Sequence, residues 1–575
     1  MPSSPPNPIS ALRQARERRH APLVLELDLT EELIEEGPHD PLGAALTYRK
    51  PKLHYVVDGL RRAEGDPRVG VLVAKIGATS TGLARMQDIR AAVLSFRAAG
   101  KRAIAWAETF GEFGPGTVPY YLATAFDEIW LQPSGDVGLT GVAVEAVFLR
   151  EALDKAGIEP QLGQRYEYKN AADTFLRRGF TDAYRDASAG LAASVAEQLA
   201  DGIAGGRGLD PNTVRDLLGR GPYGAQQALE AGLVDQLGYR DEVYAAARSS
   251  GGDSARLQFL GRYRKEAMRS GFGRLAPTRL ARHRSRKVVA VVQASGAVRL
   301  GRSSRRPLTG ASMGSDTVTA ALRSAARDDA VGAVVLRVDS PGGSYVASDA
   351  IWREVGRTRE AGKPVVVSMG DVAASGGYFV AMSADAIVAQ PGTLTGSIGV
   401  LGGKAVTRDL WARIGVGRDA VTEGEHALMF SAQRPFDEAE WAQLERWLDH
   451  VYHDFTAKVA QGRGLSREHV HEVARGRVWT GRDARERGLV DELGGLRHAV
   501  EIARQRGGLP ADAEARSWPR VSPLDRARPA RSSEDPAAAA AAHLTAGWGP
   551  WAAIAAAAGL PAAGPLTLPG GWRVR

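Results

Sequence analysis

Four runs in the second half of the chain hold almost nothing but branched and apolar residues: KVVAVVQ from Lys287, VGAVVLRVD from Val331, PVVVSMG from Pro364 and AIVAQP from Ala386. Runs that short and that continuous predict strands covered on both faces, as in a parallel sheet. Between them, DTVTAALRSAARD and SDAIWREVGRTREAG place apolar residues three and four apart and predict helices. Strand–helix alternation of this kind predicts right-handed βαβ units, a mainly parallel sheet and the α/β class. Further on, DEAEWAQLERWLDHVYHDFTAKVAQG predicts one long amphipathic helix ending at Gly462, with Trp441, Leu444, Trp447, Leu448 and Val451 as its apolar stripe. Near the start, LVLELDL (Leu23–Leu29) alternates and predicts a strand, too short and too charged to cross a membrane.

The first half repeats the pattern of the second. AGKRAIAWAETFGEFGPGTVPYYLATAFDEIWLQP from Ala99 is answered by AGKPVVVSMGDVAASGGYFVAMSADAIVAQP from Ala361, and GDVGLTGV (Gly135–Val142) by TLTGSIGV (Thr393–Val400). AGGRGLDPNTV returns as AQGRGLSREHV, and AGLVDQLGYRDEV as RGLVDELGGLRHAV. The offset stays between about 256 and about 262 residues, which is the mark of two collinear copies. The expected organisation is a tail (1–22), a first repeat (23–249), a basic connector (250–286), a second repeat (287–506) and an Ala/Gly/Pro-rich tail (507–575).

A length of 575 residues suits roughly two to four domains. The absence of cysteine excludes disulfide staples, zinc ribbons, iron–sulfur clusters and thiol catalysis. Net charge is 74 − 66 = +8, but the excess is mostly arginine spread along the chain, so no nucleic-acid partner is expected. Met1–Pro22 is Pro/Ser-rich and then basic, with no apolar run behind it of the kind a secretion signal needs. From Ala537 to Trp572 there is no Asp, Glu, Lys or Arg, and Pro550, Pro561, Pro565 and Pro569 break any long helix. That stretch reads as low-complexity tail, or as a membrane-surface contact through Trp548, Trp551 and Leu560. The expected location is the cytoplasm or the periphery of a membrane.

Where the copies differ, chemistry shows. In the second, the strand VVVSMGD runs into AASGGYFVAMSA, placing Ser375 at a strand-to-helix turn with Gly376 and Gly377 behind it. Upstream, VGAVVLRVDS ends in Pro341–Gly342–Gly343, so two neighbouring strands each end in a glycine turn on one sheet edge. That is the material for an oxyanion hole beside a serine. AASGG alone would suit close packing equally well; the pairing with DSPGG favours catalysis. The first copy has Thr117 near the serine position without a following Gly pair, and KIGATSTG in place of DSPGGS.

A serine nucleophile needs a base. His450 and His453, with Asp449 and Asp454, imitate a metal pair but have no third ligand, and His469 and His471 read as solvated. His426, in EGEHALMF, remains open. The other candidate is Lys169 in QRYEYKNAADTF, whose counterpart in the second copy is Ala427. A lysine acts as base only when neutral, which requires burial, and Tyr166, Tyr168 and Phe175 are expected to supply an apolar wall.

The set DSPGG, GDVAASGGY, LTGSIGV and GRVWTGRDARERGLVDELGG resembles bacterial signal peptide peptidase in its long, two-repeat form, also called protease IV, over about Leu23–Arg504. The resemblance implies a tandem duplication of a crotonase-like (ClpP-like) domain and a Ser/Lys-dyad serine protease. It assigns Ser375 as nucleophile, Lys169 as general base, and the amides of Gly342 and Gly376 as the oxyanion hole. It also implies no cofactor or metal, a homo-oligomer expected to be a tetramer, and as substrates remnant signal peptides or other short or unfolded apolar peptides. Two other readings stand beside it: a crotonase-type acyl-CoA hydratase or thioesterase, and a non-catalytic membrane-associated scaffold.

Overall fold

The computed structural model describes residues 21–35, 50–77, 81–252, 255–273, 287–306, 310–519, 566–567 and 573–574. The N-terminal tail up to residue 20 and Trp548, Trp551 and Leu560, the residues considered for a membrane-surface contact, lie outside them.

The chain is α/β, and each repeat contributes a mainly parallel sheet. In the first, the order is Arg256–Phe259, Leu23–Leu29, Val69–Ile76, Arg102–Ala107, Glu128–Leu131, Gln236–Leu237, all neighbours parallel. In the second, the matching order is Ala515–Trp518, Val288–Ser295, Val331–Ser340, Val365–Ala374, Ala386–Ala389, Glu492–Leu493. The four continuous apolar runs became these central strands because both faces are covered: Val334, Val335, Leu336, Val365, Val366 and Val367 all have zero exposure. Each such side chain contributes about 1.5–3 kcal/mol of burial. The helices Ser315–Arg327 and Tyr345–Glu360 form where three- and four-residue spacing predicted them.

The duplication extends to individual hydrogen bonds. Tyr120 OH donates to the Leu233 carbonyl at 2.7 Å, and Tyr378 OH to that of Leu489 at 3.0 Å. The Ile129 amide donates to Asp235 Oδ2 and the Ile387 amide to Asp491 Oδ2, both at 2.7 Å. Those aspartates in turn pair with Arg207 and Arg463.

Three expectations need correction. Part of the stretch read as connector belongs to the first repeat: Arg256–Phe259 is its edge strand, and the helix Leu260–Gly273 follows. Likewise Ala515–Trp518, read as tail, is the edge strand of the second sheet. Four-residue strands at an edge carry too little pattern to be seen in sequence. The long helix spans Glu438–Arg463, capped by the Asp437 side chain, with Gly464 in the left-handed region beyond it. Leu444, Leu448 and Val451 are buried, but Trp447 is 40% exposed and lies at the border of the stripe.

By contacts the described chain forms two compact units, one holding 21–142 and 196–273, the other 143–195 together with the second repeat. The segment Ala143–Val195 is first-repeat by sequence but packs with the second. Its strand Glu159–Gln164 pairs antiparallel with Leu401–Val406, in register from Leu401 opposite Gln164 to Val406 opposite Glu159. Arg165 is bonded to Asp449 and, at 2.8 Å, to the Glu445 carbonyl on the long helix. Leu191 packs against Ala374, Leu394 and Val478, and Ser194 Oγ lies 2.9 Å from Thr480 Oγ1.

Candidate active site

The strand Val365–Ala374 runs straight into the helical turn Gly376–Phe379, leaving Ser375 alone at the junction. Its backbone, φ 55° and ψ −114°, lies where residues with a Cβ are strained. The conformation is held by its amide, which donates to the Gly396 carbonyl at 2.8 Å, and by its carbonyl, which accepts from the Phe379 amide at 2.8 Å. The side chain is fully buried.

The two glycine turns meet here. A Cβ on Gly376 would lie 3.0 Å from the Gly343 nitrogen and 3.2 Å from Gly342 Cα, so the backbones touch only because that Cβ is missing. Gly342 and Gly343 both have left-handed φ, 97° and 154°. The Gly342 amide donates to Ser340 Oγ at 3.1 Å, so an oxyanion bonding there has to share or replace that hydroxyl.

Lys169 comes from the segment that crosses to the second repeat. Its Nζ lies 2.8 Å from Ser375 Oγ, 3.1 Å from the Ser397 carbonyl and 3.0 Å from Ser397 Oγ. All three partners are neutral oxygens, and burial alone lowers its pKa from 10.5 to about 7. The expected aromatic wall is not what buries it. Tyr166 is 42% exposed, Tyr168 bonds Asp186 at 3.0 Å, and Phe175 packs with Leu162 and Ala172. Backbone does the work instead: a Cβ on Gly476 would lie 2.5 Å from the Lys169 nitrogen, and one on Gly399 3.2 Å from Lys169 Cδ. Sequence reasoning also missed Ser397, whose left-handed φ of 50° turns its carbonyl and hydroxyl onto the lysine. The signal was the LTGSIGV motif itself, read as a repeat marker.

The remaining candidates fall elsewhere. His426 and Ala427 are exposed, in a loop remote in character from the buried lysine. His471 Nδ1 lies 3.1 Å from Tyr452 OH, and among the described residues no group of acidic and histidine side chains could hold a metal. Thr117, the counterpart of Ser375, is buried at the start of the helix Thr117–Ala123, and its hydroxyl donates to the Gly141 carbonyl at 3.3 Å. Among the described residues no helix is long and apolar enough to cross a membrane.

Comparison with known proteins gives the family. Residues 95–252 and 357–509 each match peptidase family S49. The chain is 32% identical over 479 residues to the chloroplastic serine protease SPPA of Arabidopsis thaliana, covering 82% of this chain and 68% of that one. It is 32% identical over 474 residues to protease 4 of Haemophilus influenzae, covering 80% and 73%. Among solved structures, a ClpP1 variant from Listeria monocytogenes matches at 14% identity with a TM-score of 0.23, over 38% of this chain and 98% of that one. The chain is thus a serine peptidase of duplicated α/β architecture. It belongs to peptidase family S49, in the long, two-repeat form typified by protease 4.

Proposed function

We propose that the chain is a serine endopeptidase working through a Ser375/Lys169 dyad and an acyl-enzyme. The observation that carries the reading is the 2.8 Å contact between a buried lysine amine and the hydroxyl at a strained strand–helix junction. Neutral Lys169 takes the Ser375 proton as Oγ attacks the peptide carbonyl. The amides of Gly342 and Gly376 hold the oxyanion, each such donor being worth about 3–4 kcal/mol in comparable sites. The lysine ammonium then gives its proton to the departing amine. Water, deprotonated by the same amine, attacks the ester and releases the second product with Ser375 restored.

The substrates are remnant signal peptides or other short or unfolded apolar peptides, which suits a buried, uncharged site. Assembly is as a homotetramer. Ile414, Val421 and Phe430 expose 65%, 104% and 74% of their surfaces, which supports self-association through that stretch. Location is cytoplasmic or at a membrane periphery, the second through the tail; a protein that stayed in the membrane pellet after a carbonate wash would contradict both. The repeats are proposed to reflect an ancestral subunit that duplicated and divided the dyad between its copies.

The deciding experiment is turnover of a short apolar peptide by Ser375→Ala and Lys169→Ala. Loss of about six orders of magnitude for the serine variant and at least two to four for the lysine variant is expected. Full activity in either would end the assignment of that residue.

A further inference from the structure

The serine-bearing repeat holds a cluster of charged and aromatic side chains that the chemistry above does not use. It lies between two helices: Tyr345–Glu360, which starts two residues after the Gly342–Gly343 turn, and Glu438–Arg463. Tyr345 OH donates to Asp454 Oδ2 at 2.7 Å. Lys458 Nζ donates to the same oxygen at 2.7 Å and to Asp349 Oδ1 at 2.6 Å. Each helix thus contributes a pair of residues four apart, on one face, to a closed clasp. Lys458 is only 17% exposed and sits over the rings of Trp352 and Phe379, at 4.6 and 5.4 Å. Burial would lower its pKa, but the two carboxylates raise it above the ordinary lysine value. Burial and Asp454 raise that of Tyr345, so its hydroxyl remains a donor.

The position of the clasp is the first clue to its purpose. The glycine turn runs through Ser344 into the helix, and the Ser344 side chain caps that helix by accepting from the Ala347 amide at 3.3 Å. Ser348, one turn on, has its Oγ 2.7 Å from where a Cβ on Gly376 would lie. The Tyr345 ring meets Phe379 edge-on at 5.8 Å, at the end of the helical turn that Ser375 opens. The start of this helix therefore touches both glycine turns, and whatever fixes it fixes the spacing between the Gly342 and Gly376 amides.

The second clue is that the other repeat does without it. The helices Leu83–Ala98 and Tyr345–Glu360 both have 16 residues, and Asp182–Arg207 and Glu438–Arg463 both have 26. Aligned from their starts, Leu83 and Gln87 stand for Tyr345 and Asp349, and Gln198 and Gly202 for Asp454 and Lys458. A neutral Gln87–Gln198 hydrogen bond of 3.1 Å takes the place of the ion pairs. A Cβ on Gly202 would run into the Tyr121 ring, so no side chain can follow the path of Lys458 there. Packing two helices does not need a half-buried cation between carboxylates. Such a network is costly to desolvate, and what it returns is fixed geometry.

We infer that Tyr345, Asp349, Asp454 and Lys458 are positioning residues for the oxyanion hole, clamping the Gly342–Gly343 turn at a set distance from Gly376. The inference rests on the proposed catalytic reading for which amides meet the oxyanion.

The test separates transition-state from ground-state binding in the full chain. Tyr345→Phe removes one hydroxyl and keeps the ring, and Lys458→Met removes the charge and keeps the stem. In each, kcat on a short apolar peptide should fall about 10- to 100-fold at unchanged KM. The inflection of the pH profile should stay near 7, because Lys169 is untouched. The probe for the hole is acetyl-leucyl-leucyl-leucinal. Ser375 Oγ bonds to its aldehyde carbon, the carbonyl π pair moves onto the oxygen and Lys169 takes the hydroxyl proton, which leaves that oxygen where the substrate oxyanion would be. Its Ki should rise by the factor by which kcat falls. A fluorescein-labelled Ala/Leu decapeptide, read by anisotropy on Ser375→Ala chains, should bind equally well with and without either substitution. Gln87→Leu breaks the matching contact in the first repeat and should leave kcat and Ki alone. Should Lys458→Met fail to fold, Tyr345→Phe carries the test by itself. An unmoved Ki in the variants would overturn the inference, since the hole would not need the clasp. So would a decapeptide Kd that rises with the Ki, or an equal loss from Gln87→Leu, since the clasp would then merely support the fold. Failure of the aldehyde to inhibit the unsubstituted protein would overturn the serine-nucleophile reading as well, and so is distinct from normal inhibition there with an unmoved Ki in the variants.

Discussion

Burial lowers the pKa of Lys169, and its behaviour with pH follows from that. With a folded pKa of about 7 against an ordinary 10.5, the amine proposed as base gains its proton as pH falls through neutrality. Turnover should therefore fall about tenfold per pH unit below 7 and level off above it, as a kcat/KM profile between pH 5 and 9 would show. The same shift links to stability. The unfolded chain binds this proton more tightly than the folded one between about pH 7 and 10.5, so folding stability rises with pH across that window and is flat below it. Lys169→Met should remove that slope from a series of thermal midpoints; a parallel rise in both proteins would mean the amine is not desolvated. Ser397 has its carbonyl and hydroxyl on Nζ, and under the proposed mechanism it is a positioning residue acting through the lysine. Ser397→Ala removes an acceptor that favours the ammonium, so the inflection of the profile should move down by less than one unit while kcat drops about tenfold or more at unchanged KM. A fall in activity with the inflection in place would make Ser397 merely structural.

At the scale of elements, the lysine is held by a strap and an arm. The strap is Arg475–Gly476–Arg477, whose Arg475 pairs with Glu167 and whose Gly476 sits on the Lys169 backbone at φ 88°. Gly476→Ala puts a methyl 2.5 Å from the Lys169 nitrogen, so the loop must move. Activity should fall at least tenfold while the thermal midpoint drops only a few degrees; full turnover would show that the lysine has room the structure does not give it. These elements also mark how far the sequence could be read. The parallel strands were legible because Val331–Ser340 and Val365–Ala374 are largely apolar, and the strand-to-helix turn at Ser375 because a glycine pair follows a strand. The four-residue edge strands were not, since RLQF and ARSW carry no period. The arm was not either, because nothing in EPQLGQ announces that its partner, Leu401–Val406, lies in the other repeat. Nor was the burial of Lys169, since it comes from glycine backbone and the sequence offered only the aromatic residues Tyr166, Tyr168 and Phe175.

At the scale of the whole chain, duplication explains why one copy carries the serine and the other the lysine. Ala143–Val195 left the fold of its own repeat to pack with the second, taking Lys169 to Ser375 within a single chain. At the position equivalent to Lys169 the second repeat has the exposed Ala427 instead of a lysine. Expressed separately, 23–249 and 287–506 should therefore each be inactive on a short apolar peptide. Mixing them should restore some turnover if the arm docks onto Leu401–Val406 in trans. Full-length chains give the sharper test. Lys169→Ala and Ser375→Ala chains, mixed under conditions that let subunits exchange, each hold one intact half of the dyad. With the two groups meeting inside one chain, no mixture contains a complete pair and the assay should stay silent. Recovery approaching a quarter or more of wild-type turnover would mean that arms are traded between neighbouring chains. And if the isolated second repeat cleaved peptide at the full rate, Lys169 could not be the base and the burial that tunes it would need another purpose.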